Sequence, residues 1–167
     1  MGEGYEGRGP DLVSLLVDQH LRIRDLLGVV ERSSGSRRAA RLTELATLLL
    51  EHEAAEERVV HPITRGVGEA GPQIVDQLLD QEYAIRRALD RLVRTDPDDL
   101  DFLPVLSELR QIVLAHIEFE ERYEFPQLRL RCEPERLFAL ARRVRDLASW
   151  LPRQSDPGYS GWLRSVG

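Results

Sequence analysis

The spacing of apolar residues most constrains what this chain can fold into. Gly, Pro and Ser, which stop or start helices, divide it into five segments: residues 11–32, 37–65, 72–94, 98–131 and 134–151. Within them apolar residues recur in alternating steps of three and four, and no segment keeps the period-two alternation that is typical of strands. The pattern predicts an all-α fold: an up-down-up-down four-helix bundle with an additional C-terminal helix.

Ionisable side chains interrupt the apolar stripe of each of the first four segments near its middle. They are His20 in the first, His52 and Glu56 in the second, Glu82 in the third, and His116 and Glu120 in the fourth. Because antiparallel packing brings the midpoints of the helices together, these side chains should converge at one level of the core. The fourth stripe continues in the same steps to Tyr123 and Gln127, which we also expect on the core face.

Carboxylates buried together repel one another or are forced to protonate, so we expect a cation among them. Neutral imidazoles and carboxylates suit iron, manganese or zinc, and dinuclear carboxylate sites take such ligands from the facing helices of a bundle. The alternative needs no metal: the same side chains would form a buried hydrogen-bond network that fixes the register of the helices.

A repeated motif supports the metal interpretation. The sequence HEAAEERVVHP at residues 52–62 returns as HIEFEERYEFP at residues 116–126. Both copies place His and Glu four residues apart, about 40° around a helix, so that both side chains share one face. Such a pair is common on solvated helices, but here each copy interrupts an aliphatic stripe and therefore faces the core.

With these motifs the chain resembles the hemerythrin-like, or HHE cation-binding, domains over roughly residues 11–131. Their pattern is one His in the first helix, His-x3-Glu in the second, His in the third and His-x3-Glu in the fourth. The resemblance implies these ligands: His20, His52 with Glu56, and His116 with Glu120. It also implies a non-heme di-iron centre, often bridged by oxygen and the two motif carboxylates. Such centres bind dioxygen, sense oxygen or redox state, handle iron or react with peroxide.

The chain departs from the family pattern in the third helix. Within DQEYAIRRAL, residues 80–89, Glu82 occupies the place where the family usually has His, and its position on the stripe predicts that it is a ligand. Three imidazoles with three carboxylates form a more anionic site that stabilises ferric ions. Reversible oxygen transport is therefore disfavoured against redox, peroxide or iron-handling chemistry, or occupation by another metal. Whether the centre turns over a substrate is left open.

Three further side chains lie near the predicted centre. Tyr83 and Tyr123 could reach iron or hydrogen-bond a ligand, but packing at the edge of the core is the expected role of each. His61 falls about 180° around its helix from His52, so we expect it at the surface or in support of a ligand, rather than on the metal.

Length, charge and cysteine content limit the domain organisation, the partners and the cellular location that we expect. The 167 residues, 42% of them hydrophobic, fit one domain, which we place at residues 11–151 between a disordered N-terminus, 1–10, and a C-terminal tail, 152–167. A net charge of −6 argues against nucleic acid or an anionic membrane as a partner. The single Cys132 cannot form an internal disulfide, and no N-terminal stretch resembles a signal peptide, so we expect a cytoplasmic protein.

Two functions of different class follow from these observations. The first is a hemerythrin-like di-metal protein that acts on O2, peroxide or iron itself, and the second is a metal-free helical bundle that serves as an interaction or regulatory module. The chain would be a monomer or a homodimer. The apolar stripe of the fifth segment, from Leu137 to Leu151, would pack on the core or, alternatively, form the dimer surface.

Overall fold

The computed structural model describes residues 9–150, which are almost entirely helical and contain no strand. The helices are α1 Leu12–Arg32, α2 Gly35–Ala55, α3 His61–Gly66, α4 Gly71–Val93, α5 Phe102–Phe119, α6 Phe125–Arg131 and α7 Pro134–Trp150. The predicted all-α fold is confirmed. The tail assigned to residues 152–167, and most of the N-terminal segment 1–10, lie outside the described residues.

Two predicted segments are each interrupted by one wider turn. The π-helical turn Glu56–Val60 joins α2 to α3, and the π-helical turn Glu120–Glu124 joins α5 to α6. Each turn is followed within two residues by a proline, Pro62 or Pro126. Proline has no N–H to donate and its ring crowds the carbonyl four residues earlier, so an α-helix must widen or bend there. The shared Glu-Glu-to-Pro motif therefore folds in the same way twice.

The π turns overturn part of the predicted fourth stripe. Tyr123 is 42% exposed, whereas Glu124, Phe125 and Leu128 are buried. A π turn holds one extra residue, so the side chains within it, such as Tyr123, are turned away progressively, and those beyond it are moved by about 100° around the helix relative to an unbroken α-helix. The prediction that Tyr123 lies on the core face is therefore wrong, although the stripe holds as far as Glu120.

The bundle closes as a ring of four. Helix α1 packs on α2 and α5, α4 packs on the same two helices, and α7 lies against α1 and α2. Leu137, Leu140 and Val144 of α7 are buried, in line with the expectation that this stripe packs on the core. None of the helices within residues 9–150 combines the length and apolar composition that a membrane span requires.

Two apolar clusters fill the two ends of the bundle. One contains Ile23, Leu49, Ile85 and Val113, and the other contains Leu16, Val60, Phe125 and Leu128. Along each long helix the ionisable residues fall between the two clusters, so they form a polar layer that is sealed by aliphatic side chains above and below.

Candidate metal centre

The six side chains predicted to converge do meet in this layer. Each is at most 2% exposed: His20, His52, Glu56, Glu82, His116 and Glu120. They form two overlapping groups in which the potential ligand atoms all lie within 4.8 Å of one another. The first group is His20, His52, Glu56 and Glu120, and the second is Glu56, Glu82 and His116. Either group could hold a metal ion, and Glu56 belongs to both.

In the first group the imidazoles point at a common position. His20 Nε2 lies 3.2 Å from His52 Nε2 and 3.1 Å from Glu120 Oε2. His52 Nε2 lies 3.4 Å from Glu56 Oε2. Two imidazole nitrogens and two carboxylate oxygens thus approach one point from three helices, as the ligands of a bound cation do.

The two motif carboxylates lie between the imidazoles of the two groups. Besides its contact with His20, Glu120 places Oε1 3.2 Å from His116 Nε2. Glu56 Oε2, which contacts His52, is 4.0 Å from the same nitrogen of His116. Each carboxylate therefore faces nitrogens of both groups, the position from which a carboxylate can bridge two ions.

The polar atoms of the centre lack the partners that burial demands. Within residues 9–150, the oxygens of Glu56 and Glu120, Glu82 Oε2 and His116 Nε2 make no hydrogen bond of acceptable geometry, although imidazole nitrogens lie 3.1–3.4 Å from the motif carboxylates. Each buried polar atom left without a partner costs about 1–3 kcal/mol. Divalent cations bound to these same atoms would offset that cost, so the donor set fits a metal.

Burial and neighbouring charges shift the pKa values of the side chains in this layer. Burial and the neighbouring Glu120 raise the pKa of Glu56 well above its usual range. Burial likewise opposes the ionisation of Glu120, yet His116 and His20 hold its pKa well below the usual range. Burial and the neighbouring His20 lower the pKa of His52 to about 3, which keeps this imidazole in the neutral form that binds metal.

Residues outside the six orient the three imidazoles. Each imidazole makes a hydrogen bond through Nδ1, which leaves Nε2 directed at the centre. The partners are Gln19 Oε1 for His52 at 2.8 Å, Gln81 Oε1 for His116 at 3.1 Å, and Glu121 Oε1 for His20 at 2.9 Å. Because Gln Oε1 can only accept, Nδ1 is the protonated nitrogen of His52 and His116 when these imidazoles are neutral.

His61 is the residue whose position the sequence defined least well. It is 3% exposed, with Nε2 2.6 Å from Glu82 Oε1 and Nδ1 2.9 Å from Glu124 Oε1. Of the two expected positions, the surface is excluded, and His61 contacts Glu82, which the sequence predicts to be a ligand. The reason is the π turn, which reduces its angular separation from His52 from about 180° to about 80°. Burial opposes its ionisation, but the hydrogen bonds to Glu124 and Glu82 raise its pKa to about 10.

Two more charged residues, Glu53 and Arg86, adjoin the centre. Neither lies on an apolar stripe, so the sequence pattern did not predict them. Glu53 is 2% exposed, and its Oε2 lies 3.5 Å from Arg86 Nη1. The same guanidinium binds Glu57 Oε1 at 2.6 Å and lies 3.8 Å from Glu82 Oε2. The phenols are elsewhere: Tyr83 and Tyr123 are 57% and 42% exposed, and neither belongs to the two candidate groups.

The chain is similar to known proteins in sequence and in fold. The model of the hemerythrin HHE cation binding domain matches residues 11–128. An uncharacterized hemerythrin-like protein of Schizosaccharomyces pombe is 24% identical over 110 residues, which are 65% of this chain and 54% of that protein. The chain thus spans about half the length of this relative. Among solved structures, a hemerythrin HHE cation binding domain-containing protein from Mycobacterium kansasii superposes with a TM-score of 0.79 and 19% identity, over 93% of this chain and 99% of that one.

Proposed function

The chain belongs to the hemerythrin HHE cation-binding domain family, and from this premise we propose that it holds a non-heme di-iron centre. The proposed ligands are His20, His52, Glu56, Glu82, His116 and Glu120. The observation that supports the proposal best is the pair of buried motif carboxylates, Glu56 and Glu120. Their oxygens have no hydrogen-bond partner within residues 9–150, and they lie between the imidazoles of two overlapping groups. We propose that these two carboxylates bridge the ions.

Two iron ions would supply one-electron redox steps and open coordination positions for a small ligand such as O2 or peroxide. The chain's own contribution is to hold the donors ready. Gln19 and Gln81 keep the Nε2 lone pairs of His52 and His116 directed inward. The apolar clusters at both ends of the layer shield these donors from bulk water.

The ligand composition narrows the chemistry. Glu82 replaces an imidazole by a carboxylate, and three carboxylates stabilise the higher charge of ferric ions. We therefore propose redox sensing, a reaction with O2 or peroxide, or iron handling, in preference to reversible oxygen transport. A site of this composition also accepts manganese or zinc, so metal identity is part of the test.

The test is metal analysis of the purified protein together with its absorption spectrum. About two irons per chain and an absorption band in the near ultraviolet are expected, by analogy with other bundles that hold dinuclear carboxylate sites. The matched pair Glu56→Gln and Glu57→Gln distinguishes loss of a metal ligand from loss of one negative charge near the centre. Both variants remove one charge, but adjacent helical side chains differ by about 100° in direction. Metal loss in both variants alike would contradict the ligand assignment. A colourless, metal-free and fully stable protein would instead support the metal-free interaction module.

A further inference from the structure

The bundle has an internal two-fold relation that reaches beyond the His-x3-Glu repeat. Residues 18–27, DQHLRIRDLL, correspond to residues 80–89, DQEYAIRRAL, in the same way that residues 52–62 correspond to residues 116–126. The contacts repeat with the sequence. Gln19 to His52 corresponds to Gln81 to His116, and the ion pair Arg24 to Glu121 corresponds to Arg86 to Glu57.

Among the buried positions that differ between the two halves, four lie together. In one half the side chains are His20, Phe125, Val60 and Leu128, and the equivalent positions of the other half hold Glu82, His61, Glu124 and Thr64. The ring of Phe125 stacks on His20, with centroids 5.4 Å apart and planes 15° from parallel. In the equivalent place His61 donates a hydrogen bond to Glu82. In one half an apolar ring, Phe125, packs against an imidazole, and in the other an imidazole, His61, hydrogen-bonds to a carboxylate.

The exchanged side chains form one connected network. His61 spans Glu82 and Glu124, and Thr64 Oγ1 donates to Glu124 Oε1 at 2.6 Å. Thr64, Glu124 and Glu82 are all 0% exposed. Burying polar side chains is unfavourable unless their hydrogen bonds are made, and the other half fills the positions equivalent to His61, Glu124 and Thr64 with apolar residues at no such cost. The network that replaces them ends on Glu82.

We propose that His61 is a positioning residue for Glu82, held in place by Glu124 and Thr64. The network fits a carboxylate to the position where the family usually has an imidazole, and the proposal rests on the proposed function of the centre. A glutamate has more rotatable bonds than a histidine and needs an anchor to present one oxygen in a fixed direction. His61 supplies it at Oε1. Oε2 is left buried without a hydrogen bond among the described residues, because Arg86 Nη1, at 3.8 Å, is too distant.

The test replaces His61 and Glu82 by the residue types that the other half has at the equivalent positions, Phe and His. Metal-free wild type, His61→Phe, Glu82→His and the double variant are titrated with ferrous iron under anaerobic conditions, and the affinity for each ion is measured by calorimetry. His61→Phe should weaken one of the two ions by about 10–100-fold, as loss of a group that orients a ligand does. The double variant should bind both ions more tightly than either single variant, since it recreates the His20–Phe125 pair. Air oxidation should then give different absorption spectra for His61→Phe and wild type.

Thr64→Val and Glu124→Gln give the same information from the far end of the network, and keep the test valid if His61→Phe does not fold. Both should weaken the same ion. Wild-type affinity and spectrum in His61→Phe, or in both of these variants, would overturn the positioning role. So would a double variant no better than His61→Phe. A wild-type chain that binds no iron would refute the proposed function itself, which is a separate result.

Discussion

Replacing Glu56 by Leu should change stability in opposite directions with and without metal. Glu56 is fully buried, neither of its carboxylate oxygens has a hydrogen-bond partner within residues 9–150, and burial and Glu120 raise its pKa. Leu has a similar volume and needs no partner. The metal-free variant should therefore be more stable than the metal-free wild type, whereas the loaded wild type should be stabilised by ions that the variant has lost.

The structure sets the size of both effects. Relief of one buried, unsatisfied group is worth about 1–3 kcal/mol. For a domain of this size that corresponds to a rise in Tm of about 2–12 °C, at about 2–4 °C per kcal/mol. Metal in thousandfold excess over its Kd stabilises the folded state by about 4 kcal/mol, an effect that should vanish in Glu56→Leu. Iron should thus raise the Tm of wild type by a similar or larger amount and leave that of the variant unchanged.

Thermal unfolding followed by circular dichroism, with chelator and with ferrous iron, measures both quantities. The matched control is Glu57→Leu, because Glu57 is 39% exposed and pairs with Arg86 at the surface. This variant should gain nothing without metal and should still respond to iron. A Glu56→Leu variant that loses stability by the same amount under both conditions would refute the reasoning. Glu56 would then fix helix register in a network that needs no ion.

The remaining predictions concern single side chains. His52→Ala and His116→Ala should each lower metal content sharply while the far-ultraviolet circular dichroism stays helical; full loading of both would contradict their assignment as ligands. Arg86→Met should cost about 1–3 kcal/mol in urea unfolding, because it leaves the buried Glu53 without its counter-ion; an unchanged midpoint would show that the pair contributes nothing. Asp11→Ala should cost about 1 kcal/mol at neutral pH through loss of the helix cap. Partial burial raises the pKa of Asp11, but the capping N–H holds it below the usual value, so this loss should shrink as the pH falls through that lowered pKa; a loss that does not change in acid would contradict this.

Sequence periodicity located the centre because the helices are regular up to that point. His20 and Glu82 lie inside unbroken α-helices, and His116 and Glu120 come before any irregular backbone has accumulated. Counting in steps of three and four therefore gives the correct face for each. The same counting fails one turn later, where Tyr123 lies within one π turn and His61 directly follows the other. Pro62 and Pro126 signal the disturbance in the sequence, but they do not reveal that a whole residue is added.

Glu53 escaped prediction for a different reason. It immediately follows His52, about 100° away on the helix, which places it outside the apolar stripe and on a face that is normally solvated. It is buried because Arg86 of the neighbouring helix covers it, a tertiary contact that no local pattern contains. Side-chain contacts between different helices, such as this one, could not be predicted from the sequence.

Because each π turn adds one residue, the number of residues in the helix sets the direction in which the side chains after the turn point. Deleting one residue from Glu56–Val60 would convert that turn into ordinary α-helix and rotate α3 by about 100°, with no change in the side chains that remain. His61 would then point toward solvent, and the anchor of Glu82 would be lost. An ideal bundle designed from this sequence with straight helices would reproduce His20, His52 and His116 and yet lack the support of the third carboxylate. In this protein one extra residue in the backbone of the π turn, rather than a substitution, sets the direction in which the His61 side chain points.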